Sequence, residues 1–178
     1  CSRFYVLMGV RKAIISMFDS HGHIHQGRQH LHPQKREFAQ AKPYADLAAA
    51  MKGADVFLGL SVAGMVTKDM VKSMADHPVL FACANPVPEI SDPAAKAARP
   101  AAIMATGRSD FPNQINNVSG FPFIFRGALD VRATEINEDM KLAAAKALAS
   151  LAKEPVPDYV LAAYDAKEFK YGIDYIIP

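Results

Sequence analysis

Apolar residues along this chain gather into short unbroken runs separated by polar, helix-compatible stretches. Residues 13–18, 55–60, 79–84 and 101–105 are runs of five or six positions that are apolar apart from Ser16 and Asp55. Runs of that length and continuity predict strands buried on both faces rather than strands with one wet face. Residues 2–8 read as the end of a helix closed by Gly9. Residues 34–51 carry helical spacing interrupted at Pro43. Residues 67–74 form a helix with Thr67 as its N-cap and Asp69 in its first turn. The chain turns helical again from Pro122. Residues 137–151 make a long alanine-rich helix capped by Asn137, with a shorter helix after the break at 153–157. Strands that alternate with helices predict an α/β domain: a doubly wound parallel sheet of the Rossmann-like type. The three runs at 13–18, 55–60 and 79–84 are expected to be parallel strands of that sheet.

The bulk properties narrow the function without naming it. The 178 residues suffice for one domain, taken here as residues 1–178. The formal charge of +2 has no basic stripe behind it, which argues against a nucleic-acid partner. No apolar stretch approaches the roughly 18 residues of a membrane span. Two cysteines, Cys1 and Cys83, make no disulfide framework and fit a cytoplasmic location. The chain begins at cysteine rather than methionine, so a piece of a longer protein is expected.

Polar residues placed just after the predicted strands are the candidates for chemistry. Asp19 closes the first run. An acid at that place in a dinucleotide-binding fold accepts hydrogen bonds from a ribose hydroxyl, about 20 residues after a glycine-rich turn. Counting back that far leaves the chain, so the fold is expected to be truncated at its N-terminal glycine-rich turn. An ordinary turn aspartate fits the spacing equally. Ser61 and Gly64 follow the second run, where small residues let backbone approach a ligand. Asn85, in Ala84-Asn85-Pro86-Val87-Pro88-Glu89, follows the third run with both a donor and an acceptor. Between Asn113 and Asn117 lie three asparagines and a glutamine, an unusual density beside the apolar residues 121–125. Buried amides need partners, and a polar ligand supplies them. His21, His23, His25, His30 and His32 cluster within twelve residues. The first three alternate as a metal-binding strand face would, but no cysteine or carboxylate pair completes a site, and a solvated hairpin accounts for them better.

At the asparagine segments the sequence becomes specific. Residues 84–90, 104–110, 112–117 and 121–133 closely resemble the bacterial malic enzymes in order and spacing, and Asp19-Ser20, Gly27-Arg28 and residues 61–64 fit as well. The closing residues 171–178 are similar to that family's closing segment. Ser119-Gly120 departs from the bulkier residues usual before Phe121-Pro122. The resemblance spans essentially the whole chain.

It implies oxidation of malate with NADP or NAD and decarboxylation to pyruvate, with magnesium or manganese. Asn85 and Asn117 match the two asparagines that contact the nicotinamide side and the substrate, and Asp19 matches the ribose-facing acid. Ser61 falls among the cofactor-binding positions. Ser20 and Lys35 sit where some members engage the 2′-phosphate of NADP, and a lysine there favours NADP by charge. The family's catalytic tyrosine and lysine, and its metal-binding carboxylates, fall before Cys1. No catalytic residue or metal ligand is therefore assigned within this chain, and the chain alone is expected to be inactive. The full-length protein is expected to be a homo-oligomer. Two other readings stay open: another Rossmann oxidoreductase, such as an amino-acid dehydrogenase, and a cofactor-holding module that catalyses nothing.

Overall fold

In the computed structural model, which describes residues 1–172 and 174–178, the central feature is a three-stranded parallel sheet. Its strands are β3 (Val56–Gly59), β4 (Val79–Ala82) and β5 (Ile103–Thr106), paired in that order. Phe57, Leu80 and Met104 stand in one row across the sheet, and Gly59, Ala82 and Thr106 in another. Strand pleating puts these two rows on the same face. That face is the core side, where Leu80 and Ala82 are fully buried and Met104 nearly so. Three helices cover it: α3 (Leu47–Met51), α4 (Lys68–Ser73) and α5 (Asp92–Ala98). They contribute Met51, Val71 and Ala95 to one cluster with Val66, Met74 and Ile90. The opposite face, with Leu58, Val79 and Phe81, is only half covered among the described residues.

Local rules explain where these elements start. The Thr67 hydroxyl accepts from the Met70 amide at 3.2 Å and caps α4. The Asp46 carboxylate accepts from Ala49 N at 2.7 Å and starts α3. The Asn137 side chain caps the long helix α7 (Glu138–Leu151) by accepting from Met140 N. Two more helices, α6 (Phe123–Asp130) and α8 (Asp158–Ala163), fall where the pattern predicts them. Helix α5 goes beyond the predicted elements. Its alanines give no apolar stripe, although Pro93 in its first turn is a start signal.

The run at 13–18 differs from its expectation. It contributes no strand to the parallel sheet. Lys12–Ile14 is a 3₁₀ turn, and only β1 (Phe18–Asp19) pairs, antiparallel, with β2 (Gly22–His23). Its carbonyls are satisfied elsewhere. The Gln40 side-chain amide donates to Ala13 O and Ile15 O, and Ile24 N donates to Met17 O. With those acceptors taken and no strand beside it among the described residues, the run is not laddered.

The helical spacing of 34–51 also yields to tertiary pairing. Helix α2 (Pro33–Arg36) is short, because Gln40 exchanges backbone hydrogen bonds with Ile24 and Gln26. The histidine hairpin forms, but it is not simply solvated. His23 and Ile24 are buried. His23 Nδ1 accepts from Tyr44 N, and burial, helped by His25 and Arg28, pushes its pKa down.

Candidate functional site at the carboxyl edge of the sheet

The carboxyl ends of β3, β4 and β5 carry three loops, and one buried carboxylate joins the first two. Glu89 is fully buried. Its Oε1 accepts from Ser61 N at 2.8 Å and from the Ser61 hydroxyl at 3.2 Å, and its Oε2 accepts from Ala84 N at 3.0 Å. Backbone bonds from Gly64 N to Pro88 O and from Val66 N to Glu89 O zip the same loops together. The carboxylate rests on Gly59, where a Cβ would stand 2.5 and 2.8 Å from its two oxygens. Only glycine leaves that space. Ser61 and Asn85 stand out in the sequence as candidates, whereas Glu89 does not. The available signal was a lone acid inside the apolar, proline-rich residues 86–90. Between these loops Cys83 is half-buried, and burial, followed by the Glu89 charge, pushes its thiol pKa up.

Asn85 stands three residues beyond β4, on the loop that Ala84 anchors, and is exposed. Asn117 follows β5 by a different route. Residues 113–115 run parallel to the end of the strand: Gln114 bridges Thr106, and Ile115 N donates to Thr106 O at 2.7 Å. Asn117 then opens a 3₁₀ turn and is exposed. Both residues thus lie past the carboxyl ends of neighbouring parallel strands, where open α/β sheets bind ligands. Among the described residues neither side-chain amide has a protein partner. The other amides of the polar segment are occupied. Asn113 donates to Met104 O and accepts from Ile176 N, and Asn116 accepts from Val118 N.

Asp19, Ser20 and Lys35 form a separate cluster at the hairpin. Asp19 Oδ1 accepts from His21 N and Arg28 Nη1, both at 2.9 Å. Its Oδ2 accepts from Arg28 Nη2 at 3.2 Å and Lys35 Nζ at 2.6 Å. The hydrogen bonds from Arg28 first, then Lys35, hold this carboxyl well below the usual carboxylate range. Both oxygens are already doubly engaged, so a ribose hydroxyl would have to displace a donor. Arg28, quoted in the sequence only as part of Gly27-Arg28, is the principal partner. The Ser20 hydroxyl lies 3.2 Å from His21 Nδ1. A shallow cleft lined by Met17, His32, Lys35 and Phe38 opens beside this cluster and does not include Ser61, Asn85 or Asn117. Among the described residues no group of three or more His, Cys, Asp or Glu side chains is placed to hold a metal ion, the five hairpin histidines included. No helix among them is long and apolar enough to cross a membrane.

A parallel sheet with small residues and unpartnered amides past its carboxyl edge places the chain in the Rossmann-like, dinucleotide-binding class of α/β domains. Comparison with known proteins is more specific. The family profile described as "Malic enzyme, NAD binding domain" matches residues 9–162. The NADP-dependent malic enzyme of Halomonas elongata is 56% identical over 178 residues, all of this chain and 42% of that protein. The NADP-dependent malic enzyme of Haemophilus influenzae is 51% identical over 180 residues, again all of this chain but 24% of that protein. The crystal structure of Entamoeba histolytica malic enzyme superposes with a TM-score of 0.85 at 40% identity, covering 100% of this chain and 36% of that one. The chain belongs to the malic enzyme NAD-binding-domain family. It spans less than half the length of these curated relatives.

Proposed function

We propose that this chain is the nicotinamide-dinucleotide platform of a malic enzyme, which oxidises malate and releases pyruvate and carbon dioxide. The observation that carries the reading is the pair of exposed, unpartnered amides, Asn85 and Asn117, past the carboxyl ends of adjacent strands. When bound, the dinucleotide supplies the acceptor for the hydride leaving C2 of malate. Asn85 and Asn117 each donate and accept, which suits a ligand surface bearing both a carboxamide and a hydroxyl or carboxylate. Their work is orientation: they hold the reacting carbon in line, and holding reactants in line lowers the barrier. Magnesium or manganese would act as a Lewis acid in the decarboxylation. The resemblance puts its carboxylate ligands before Cys1, so its site is proposed to lie outside this chain, and no step here passes through it. Taken alone, the chain is proposed to be inactive. The full-length enzyme is proposed to be a cytoplasmic homo-oligomer.

The hairpin cluster supports NADP as the preferred cofactor. Asp19, Arg28 and Lys35 together carry one net positive charge. Lys35 is the more exposed of the two cations, with 44% of its side chain accessible. Its ammonium would exchange its bond to Asp19 Oδ2 for a 2′-phosphate while Arg28 keeps Asp19, and the Ser20 hydroxyl adds a donor. Lys35→Ala in the full-length enzyme should therefore lower the ratio of kcat/KM with NADP to kcat/KM with NAD by about tenfold or more, the scale of a charged hydrogen bond. The measurement is malate-dependent dinucleotide reduction with each cofactor. An unchanged ratio would remove Lys35 from phosphate recognition.

A further inference from the structure

Glu89 is a buried charge that the reaction as described does not use. It is fully inaccessible, and no lysine, arginine or histidine pairs with it among the described residues. A carboxylate in that setting costs stability unless hydrogen bonds offset it. Here the offset comes entirely from the two loops at the carboxyl edge: Ser61 N and its hydroxyl on one oxygen, Ala84 N on the other. A neutral apolar side chain could fill the space, but it could not fix the spacing of two backbone segments. Each oxygen addresses one loop, so the rigid carboxylate plane sets the distance between them. Gly59 beneath it leaves open the space that a Cβ would fill.

We propose that Glu89 is a positioning residue for the reaction: its carboxylate clamps the loop after β3 to the loop after β4, and thereby fixes Asn85 relative to Ser61. The catalytic consequence rests on the reading of Asn85 given above. The clamp itself rests only on the geometry. Glutamine at this position keeps the volume but can present an oxygen to only one loop. Its amide nitrogen would face the second backbone N–H, donor against donor.

The test uses the full-length enzyme and its Glu89→Gln variant at a temperature where circular dichroism shows both fully folded. At saturating malate and NADP, kcat should fall tenfold or more, since misplacement of about 1 Å can cost a hundredfold. A residue that only stabilised the fold would leave kcat of the folded enzyme unchanged. Amide hydrogen exchange at Ser61 or Ala84, whichever faces the amide nitrogen, should speed up at least tenfold in the variant. Gly59→Ala, which displaces the carboxylate without altering it, should reproduce the loss of kcat. Combined with Glu89→Gln it should add little, as expected for two changes that break one contact.

Unchanged exchange at both amides would overturn the clamp. A kcat within twofold of wild type in Glu89→Gln, with Asn85→Ala strongly impaired, would overturn the catalytic consequence. Asn85→Ala without kinetic effect would instead sink the reading of Asn85 and that consequence with it, while exchange at Ser61 and Ala84 would still decide the clamp.

Discussion

Replacing Asn117 by alanine is expected to lower malate turnover or affinity in the full-length enzyme by between about fivefold and a hundredfold, with folding unchanged. The range is the cost of leaving ligand polar atoms unpaired in a largely dry site, on the order of 1–3 kcal/mol. The expectation of unchanged folding comes from the structure. The Asn117 side chain is exposed and makes no hydrogen bond among the described residues, whereas the neighbouring turn is capped by Asn116. Truncations of that kind usually stay within roughly 0.5 kcal/mol of wild-type stability. Steady-state kinetics with thermal melting as the folding control decides the matter. Wild-type kinetics would remove Asn117 from the site.

Asn113, four residues earlier in the same polar segment, should behave in the opposite way. Its side chain donates to Met104 O at 3.0 Å and accepts from Ile176 N at 2.7 Å, tying β5 to the C-terminal segment. Its backbone lies at φ +58°, in the left-handed region that asparagine tolerates better than alanine. Two lost, partly buried hydrogen bonds and the backbone penalty together come to roughly 2–4 kcal/mol. For a domain of this size that corresponds to a fall in melting temperature of roughly 5–15 °C. Asn113→Ala should therefore melt early. Its kinetics below the transition should be altered far less than those of Asn117→Ala. A melting temperature equal to wild type would show that the Ile176 and Met104 contacts carry no stability.

These two asparagines mark how far the sequence could be read. The density of amides at 113–117 was visible in the sequence, but not its pairing beside β5. Which amides serve the fold and which remain free was not visible, because that depends on a backbone carbonyl nine residues away and an amide 63 residues away. The runs at 55–60, 79–84 and 101–105 were legible because each forms a strand of the parallel sheet, and the caps at Thr67 and Asn137 because capping is local. The run at 13–18 looked the same but is not laddered. A strand needs a partner, and the Gln40 side chain claims its carbonyls instead.

At the site, Asp19 was legible as an acid closing an apolar run. Its engagement by Arg28 and Lys35 was not, since both cations sit in the loop that the His25–Gln40 bridge closes, a pairing 15 residues apart in sequence. Glu89 was overlooked for a related reason. A single acid among prolines reads as surface, and only the Gly59 opening and two converging N–H groups make it an interior residue.

The central claim is that this chain is the dinucleotide platform of an enzyme that couples malate oxidation to decarboxylation. The most direct measurement is the stoichiometry of the full-length enzyme supplied with malate, NADP and magnesium or manganese. One pyruvate is expected to be released for each NADPH formed. Reduction of NADP without pyruvate, or no malate-dependent reduction with either NADP or NAD, would contradict it.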